Sequence, residues 1–144
     1  MFVRLDNEVV ADSWDKISRG IIESIWKTEI DYIAVSRRLL EGVLSGELQC
    51  WAGFEDSEVD SVIITMITYD YYLGKRVLLV YLGHVFSEKA KDIEVLRSRI
   101  EVLKAFALGN GCTEVGGYCA DVAVFGVIKE LGAKVDSAYV SIIL

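Results

Sequence analysis

The chain has 144 residues, 53% of them hydrophobic, with 15 basic against 22 acidic side chains and a formal charge of −7. That length suits one compact domain, taken here as 1–144, with a core large enough to need no metal or disulfide staple. The acidic balance and the lack of any Lys/Arg cluster argue against direct DNA or RNA binding. No apolar run approaches the roughly 20 residues of a membrane helix.

Cys50, Cys112 and Cys119 are odd in number and lack metal-type spacing, so they read as reduced, buried thiols. A lone His84 cannot build an all-histidine metal site, and no metal centre is expected. Met1-Phe2-Val3-Arg4-Leu5 has neither the basic nor the apolar segment of a secretion signal, which points to the cytoplasm.

In chain order, Phe2 to Leu5 alternates as a short strand. Asp12 is positioned as an N-cap for a first helix carrying Trp14, Ile17, Ile21 and Ile25 and running to about Trp26. A second helix is expected over Tyr32 to Leu44, stopped by Gly46. Leu48 to Phe54 alternates as a strand with Leu48, Cys50, Ala52 and Phe54 on one face and Gln49, Trp51 and Gly53 on the other. The acidic run Glu55-Asp56-Ser57-Glu58 reads as a turn, and Val59 to Tyr69 as a long β-branched strand.

After a turn over Asp70 to Gly74, Val77 to Leu82 is six apolar residues without alternation, the pattern of a strand covered on both faces. Ile93, Leu96, Ile100, Leu103 and Ala107 then form one stripe of a long helix. Gly109-Asn110-Gly111 is its stop signal. Cys112 to Cys119 is a short strand in which Gly116 and Gly117 mark a bulge or a close backbone approach. Ala120 to Leu131 reads as a helix with Val124, Ile128 and Leu131 on one face, and Val135 to Leu144 as a final strand. The fold class is α/β (α+β): a mixed, mainly antiparallel sheet of 6–7 strands with about four helices, in the order β-α-α-β-β-β-α-β-α-β.

That order, the two helices between the first and second strands, the lead-in Gly46-Glu47-Leu48-Gln49-Cys50-Trp51 and the ending Lys129-Glu130-Leu131-Gly132 together resemble the GCN5-related N-acetyltransferase (GNAT) fold. The lead-in and the long strand after it also look like small acetyltransferase-like bacteriophage proteins, including short virion components of short-tailed phages. The resemblance implies a loop of the form Gln/Arg-x-x-Gly-x-Gly/Ala between the fourth strand and third helix, holding the pyrophosphate of acetyl-CoA. Here the corresponding stretch is Leu82 to Lys91. It contains one glycine, Gly83, placed at the strand end, with Phe86 and Glu88 where phosphate would approach. Ser87 is read as an N-cap or, alternatively, a phosphate ligand.

The resemblance also implies a tyrosine four residues before Gly132, as proton donor to the departing thiolate; Ile128 stands there and has no proton to give. Tyr118 is a substitute candidate, and His84 a candidate base. Gly83, Gly116 and Gly117 are compatible with a splay between the fourth and fifth strands that could take a cofactor arm or a partner's strand. Two functions follow. One is a non-catalytic structural or interaction protein of phage type, in cytoplasm or virion, without cofactor and with a protein partner or second copy. The alternative is a divergent N-acetyltransferase using acetyl-CoA. The two losses favour the first.

Overall fold

The computed structural model of the chain describes residues 1–23, 31–119, 121–135 and 142. Its elements are β1 (Phe2–Arg4), α1 (Asn7–Glu23), α2 (Tyr32–Ser45), β2 (Leu48–Glu55), β3 (Glu58–Asp70), β4 (Lys75–Val85), α3 (Ile93–Gly109), β5 (Glu114–Gly117) and α4 (Val122–Glu130), with a 3-10 turn over Glu88–Lys91 between β4 and α3. They form a mixed sheet in the order β1-β2-β3-β4-β5. β1 to β4 are antiparallel neighbours, and β5 joins β4 in parallel after the α3 crossover. Among the described residues, four helices and a mixed, mainly antiparallel sheet agree with the reading of the sequence. The described residues hold five strands rather than 6–7. The expected last strand over Val135 to Leu144 falls mostly outside the described residues, as does the extension of α1 to Trp26.

The first helix begins earlier than expected. Asp6, not Asp12, caps it, its carboxylate accepting the Val9 N–H at 2.9 Å. The first turn, Asn7-Glu8-Val9-Val10, already carries the buried Val10 four residues before Trp14, so the apolar stripe starts one turn earlier than Trp14 suggests. α2 follows the expectation closely: Asp31 accepts the Ala34 N–H, and Gly46 closes the helix at φ 85°.

Two cores lie on opposite faces of the sheet. On one, α1 and α2 place Val10, Trp14, Ile17, Ile21, Leu39 and Val43 against Cys50, Val62 and Ile64. Trp14 donates its indole N–H to Ser36 at 2.9 Å, which joins the two helices without leaving a polar atom unpaired. On the other, Leu103 and Ala107 of α3 pack on Trp51 and Leu78, with Phe2 and Phe106 flanking. The alternation in β2 thus assigned its faces correctly. Cys50 and Cys112 are buried, and burial pushes the Cys50 thiol up to about 12. Cys119 is exposed, contrary to expectation, because β5 ends at Gly117.

β4 departs from its reading. Its apolar run predicts cover on both faces, yet only Leu78 among its residues is buried. A bulge explains part of this. Thr65 pairs with Val80 but Ile64 pairs with Leu82, so Tyr81 is the extra residue and drops out of the ladder. Side chains change face across it: Val80 packs toward α3, and Leu82 toward α1 and α2.

Candidate functional site

The β4–α3 connection and the β4/β5 edge hold every candidate residue read from the sequence, and they divide into two groups. Gly116 and Gly117 lie in β5 opposite Leu79 and Val80. Gly117 is required by a close approach: a Cβ there would sit 2.9 Å from both Cβ and the carbonyl oxygen of Val80. Tyr118 follows, exposed, its N–H donating to the Val80 carbonyl at 3.3 Å. The β4–β5 pairing ends there, while β4 continues to Val85. Among the described residues the two strands therefore part immediately beside the Tyr81 bulge.

Gly83 and His84 form the other group, with Phe86 and Ser87. Gly83 is not at a strand end, because the long β3 keeps pairing as far as Ser61 with Val85; Gly83 faces Ile63 inside β4. His84 pairs with Val62 and meets Phe86 edge-on, with ring centroids 4.7 Å apart. Both rings lie over Gly20 of α1, where any Cβ would come within 2.5 Å of Phe86. Phe86 with Asp15, Lys16, Arg19 and Glu23 borders an open cleft of about 350 Å³. His84 is thus turned to α1, and Tyr118 follows the end of β5 at the edge of β4 opposite β3.

Ser87 does not cap a helix. Its backbone is extended, and its side chain makes no capping bond. Asp92 holds that position for α3, because its carboxylate, five residues further on, accepts both the Glu94 N–H at 2.9 Å and the Val95 N–H at 3.4 Å. The N–H groups of Phe86, Ala90, Asp92 and Leu96 are also committed, to carbonyls of Asp60, Ser87, Lys89 and Asp92. An anion binds a helix start through free N–H groups. Here the Glu94, Val95 and Leu96 N–H groups at the start of α3 are all held by Asp92, and Glu88 and Glu94 stand beside it, paired with Lys91 and Arg97. The connection does not fit a pyrophosphate held in the way the resemblance implies.

A second helix start stands beside it. Asp121 caps α4, accepting the Ala123 and Val124 N–H groups at 2.9 and 3.0 Å. Lys91 reaches from the 3-10 turn to Asp121 Oδ2 at 3.1 Å and to Glu88 Oε1 at 2.9 Å. The Val124 N–H, helped by Lys91 and the Ala123 N–H and opposed by partial burial, holds the Asp121 carboxyl below its ordinary value. Hydrogen bonds to Glu88 and Asp121 hold the Lys91 ammonium above its own. Ile128 sits half-buried in α4, as expected, and supplies no acid. No group of acidic, cysteine or histidine side chains among the described residues has the arrangement of a metal site.

The reading of the sequence missed Asp60 and Arg99. Arg99 of α3 is buried and donates to Asp60 at 2.5 Å and to Ser61 at 2.7 Å. Asp60 is the extra residue of a bulge where Gly53 pairs with Ser61 and Phe54 with Val59. Gly53 makes the room: a Cβ there would lie 2.4 Å from Asp60 Oδ1 and 2.7 Å from Arg99 Cζ. The Asp60 carbonyl takes the Phe86 N–H at 2.8 Å. One residue thus anchors the connection at its start by its main chain and α3 beyond it by its side chain. The signal was Arg99 itself, spaced three after Leu96 and four before Leu103 on the apolar stripe.

No protein-family model matches the chain, and no curated protein sequence matches it. Solved structures do. An acetyl transferase candidate of Pyrococcus furiosus is similar at 19% identity and TM-score 0.72, with all of both chains covered (100% and 100%). The ribosomal-protein-alanine N-acetyltransferase of Brucella melitensis biovar Abortus matches at 13% identity and TM-score 0.72, over 100% of this chain and 99% of that one. A Clostridium acetobutylicum protein described as an acetyltransferase and solved with acetyl-CoA matches at 11% and TM-score 0.72, over 99% and 94%. The fold is GNAT-like.

Proposed function

We propose that the chain is a divergent N-acetyltransferase, a single domain over 1–144 that takes an acetyl thioester and an amine. The observation that carries this is the Tyr81 bulge at the point where β4 and β5 part. The extra residue of a bulge leaves its main-chain groups out of the ladder. Beside an opening between parallel strands, such groups can meet an acyl carbonyl and the charge that grows on it. Tyr118 stands at that opening and is the side chain suited to exchange a proton there. His84, turned to α1, lies on the other side of the strand. The neighbours support the class: the Clostridium protein was solved with acetyl-CoA, and the Brucella enzyme is an N-acetyltransferase.

Calorimetry with acetyl-CoA tests the reading. Saturable heat is expected, and Tyr118→Phe should keep it while lowering turnover about 10²-fold or more. An absence of binding at millimolar donor removes the enzyme.

A second reading has its own observation. The committed N–H groups at α3, together with Ile128 in place of an acid, suit a non-catalytic scaffold of the phage type, binding a protein partner or a second copy and needing no cofactor. Native mass spectrometry separates it: a strictly monomeric chain that takes acetyl-CoA and no protein counts against this reading.

A further inference from the structure

We propose that the chain recognises its acyl donor through the pantetheine thioester arm alone, because the Asp92 and Asp121 carboxylates already occupy both helix starts where nucleotide phosphates would bind. This rests on the acetyltransferase reading and specifies its donor.

Four bonds carry the first step. Asp92 takes two N–H groups at the start of α3, and Asp121 takes two at the start of α4. A phosphate arriving at either place would have to displace a carboxylate attached to the chain, at high effective concentration. It would also approach Glu88 and Glu94. The cations nearby are not idle: Lys89 is paired with Glu55 at 3.1 Å, and Lys91 holds Glu88 and Asp121 together. The bridge from Lys91 to Asp121 ties the 3-10 turn to α4, joining the two helix starts directly. Charge and geometry therefore both oppose a diphosphate.

The arm meets a different surface. Pantetheine carries two secondary amides in an extended chain, so it pairs with main-chain groups much as a peptide strand does. Beyond Val80, β4 continues without β5 as a neighbour, and the Tyr81 bulge opens this stretch. Gly117 brings the two backbones together where the separation begins. Recognition there depends on the thioester and its amides and is blind to what lies beyond the arm. Coenzyme A and a carrier protein present the same group.

The experiment compares donors on the full chain. S-acetylpantetheine and acetyl-CoA should bind within about threefold of each other, and adenosine 3′,5′-bisphosphate at millimolar concentration should displace neither. Acetyl-CoA binding about 30-fold tighter, or displacement by the bisphosphate, overturns the donor assignment and leaves the acetyltransferase reading intact. Binding of neither thioester overturns that reading, and this inference with it. Asp92→Ser keeps a capping side chain but removes the charge, so it should raise the preference for acetyl-CoA several-fold while S-acetylpantetheine is unaffected. A ratio unchanged from the native chain would show that the carboxylate is not the cause. An acetylated acyl carrier protein forms the last arm. Turnover above that of free S-acetylpantetheine identifies a carrier-protein donor, and equal turnover identifies the free thioester pool; no turnover from any pantetheine donor other than acetyl-CoA contradicts the proposal.

Discussion

β2 and β4 each have a strand on both sides, and they differ sharply in what surrounds them. β2 is buried continuously from Gln49 to Gly53, with α1 and α2 over one face and α3 over the other. β4 has the more apolar sequence of the two, yet it buries only Leu78. Apolar content makes burial favourable when cover is offered; it does not create the cover. The closed half also satisfies its polar groups internally. Trp51 donates to Thr65 at 2.9 Å, and Thr65 in turn to Gln49 at 3.0 Å. In the open half, main-chain groups leave the ladder at Tyr81 and the flanking charges pair at the surface.

The strongest way to break this contrast is to unpair the buried charge in the closed half. Arg99→Ala leaves Asp60 buried without its partner and should cost about 3–5 kcal/mol in chemical denaturation. A cost under about 1 kcal/mol would mean that Asp60 is far better solvated than its position indicates. Reactivity gives the next measure, without mutation. Cys119 in the open half should react with iodoacetamide in the native protein, whereas Cys50 and Cys112 should react only after unfolding. Mass spectrometry after a short pulse counts the adducts, and a labelled Cys50 would mean that the closed half opens readily.

Smaller effects belong to the helix starts. Asp92→Ala removes the α3 cap and should cost about 1 kcal/mol, read as a lower denaturation midpoint at unchanged slope. The pH response of Asp121 is smaller still. Its carboxyl is held below the ordinary 3.8, so its contribution is fully present above that value and is lost as pH falls through the lower, folded-state value. In a scan of stability against pH, the difference between native and Asp121→Asn should therefore persist down to about pH 4 and shrink only below it. A difference that vanishes near pH 6 would assign it to another group.

Most of the architecture was readable because it rests on local rules: the α2 and α3 stripes, the Gly46 stop, and the alternation of β2. The start of α1, the exposure of β4 and the cap of α3 were not. Each depends on where the chain meets something distant. Asp92 caps α3 because a 3-10 turn, tied to Glu55 by Lys89 and to Asp121 by Lys91, separates Ser87 from the start of that helix. No window of neighbouring residues contains that information. The placement of Gly83, His84, Ser87, Gly116, Gly117 and Tyr118 along β4 and its neighbours was legible, because it follows from the order of the elements. Its division by the Tyr81 bulge depends on pairing with β3, which a strand's own sequence does not reveal.

The turn between β2 and β3 has a consequence for the order of assembly. Asp56 and Ser57 both lie in the left-handed region, at φ 48° and 70°, as a two-residue hairpin with right-handed twist demands. Neither is glycine, so the turn does not form readily by itself. Zippering should start from the paired middle, around Trp51 with Ile63, and reach the tip late. Ser57→Gly would then stabilise the chain modestly by slowing unfolding, with little change in folding rate. Stopped-flow measurement showing faster folding instead would make the tip an early nucleus, and the hairpin would close from its end.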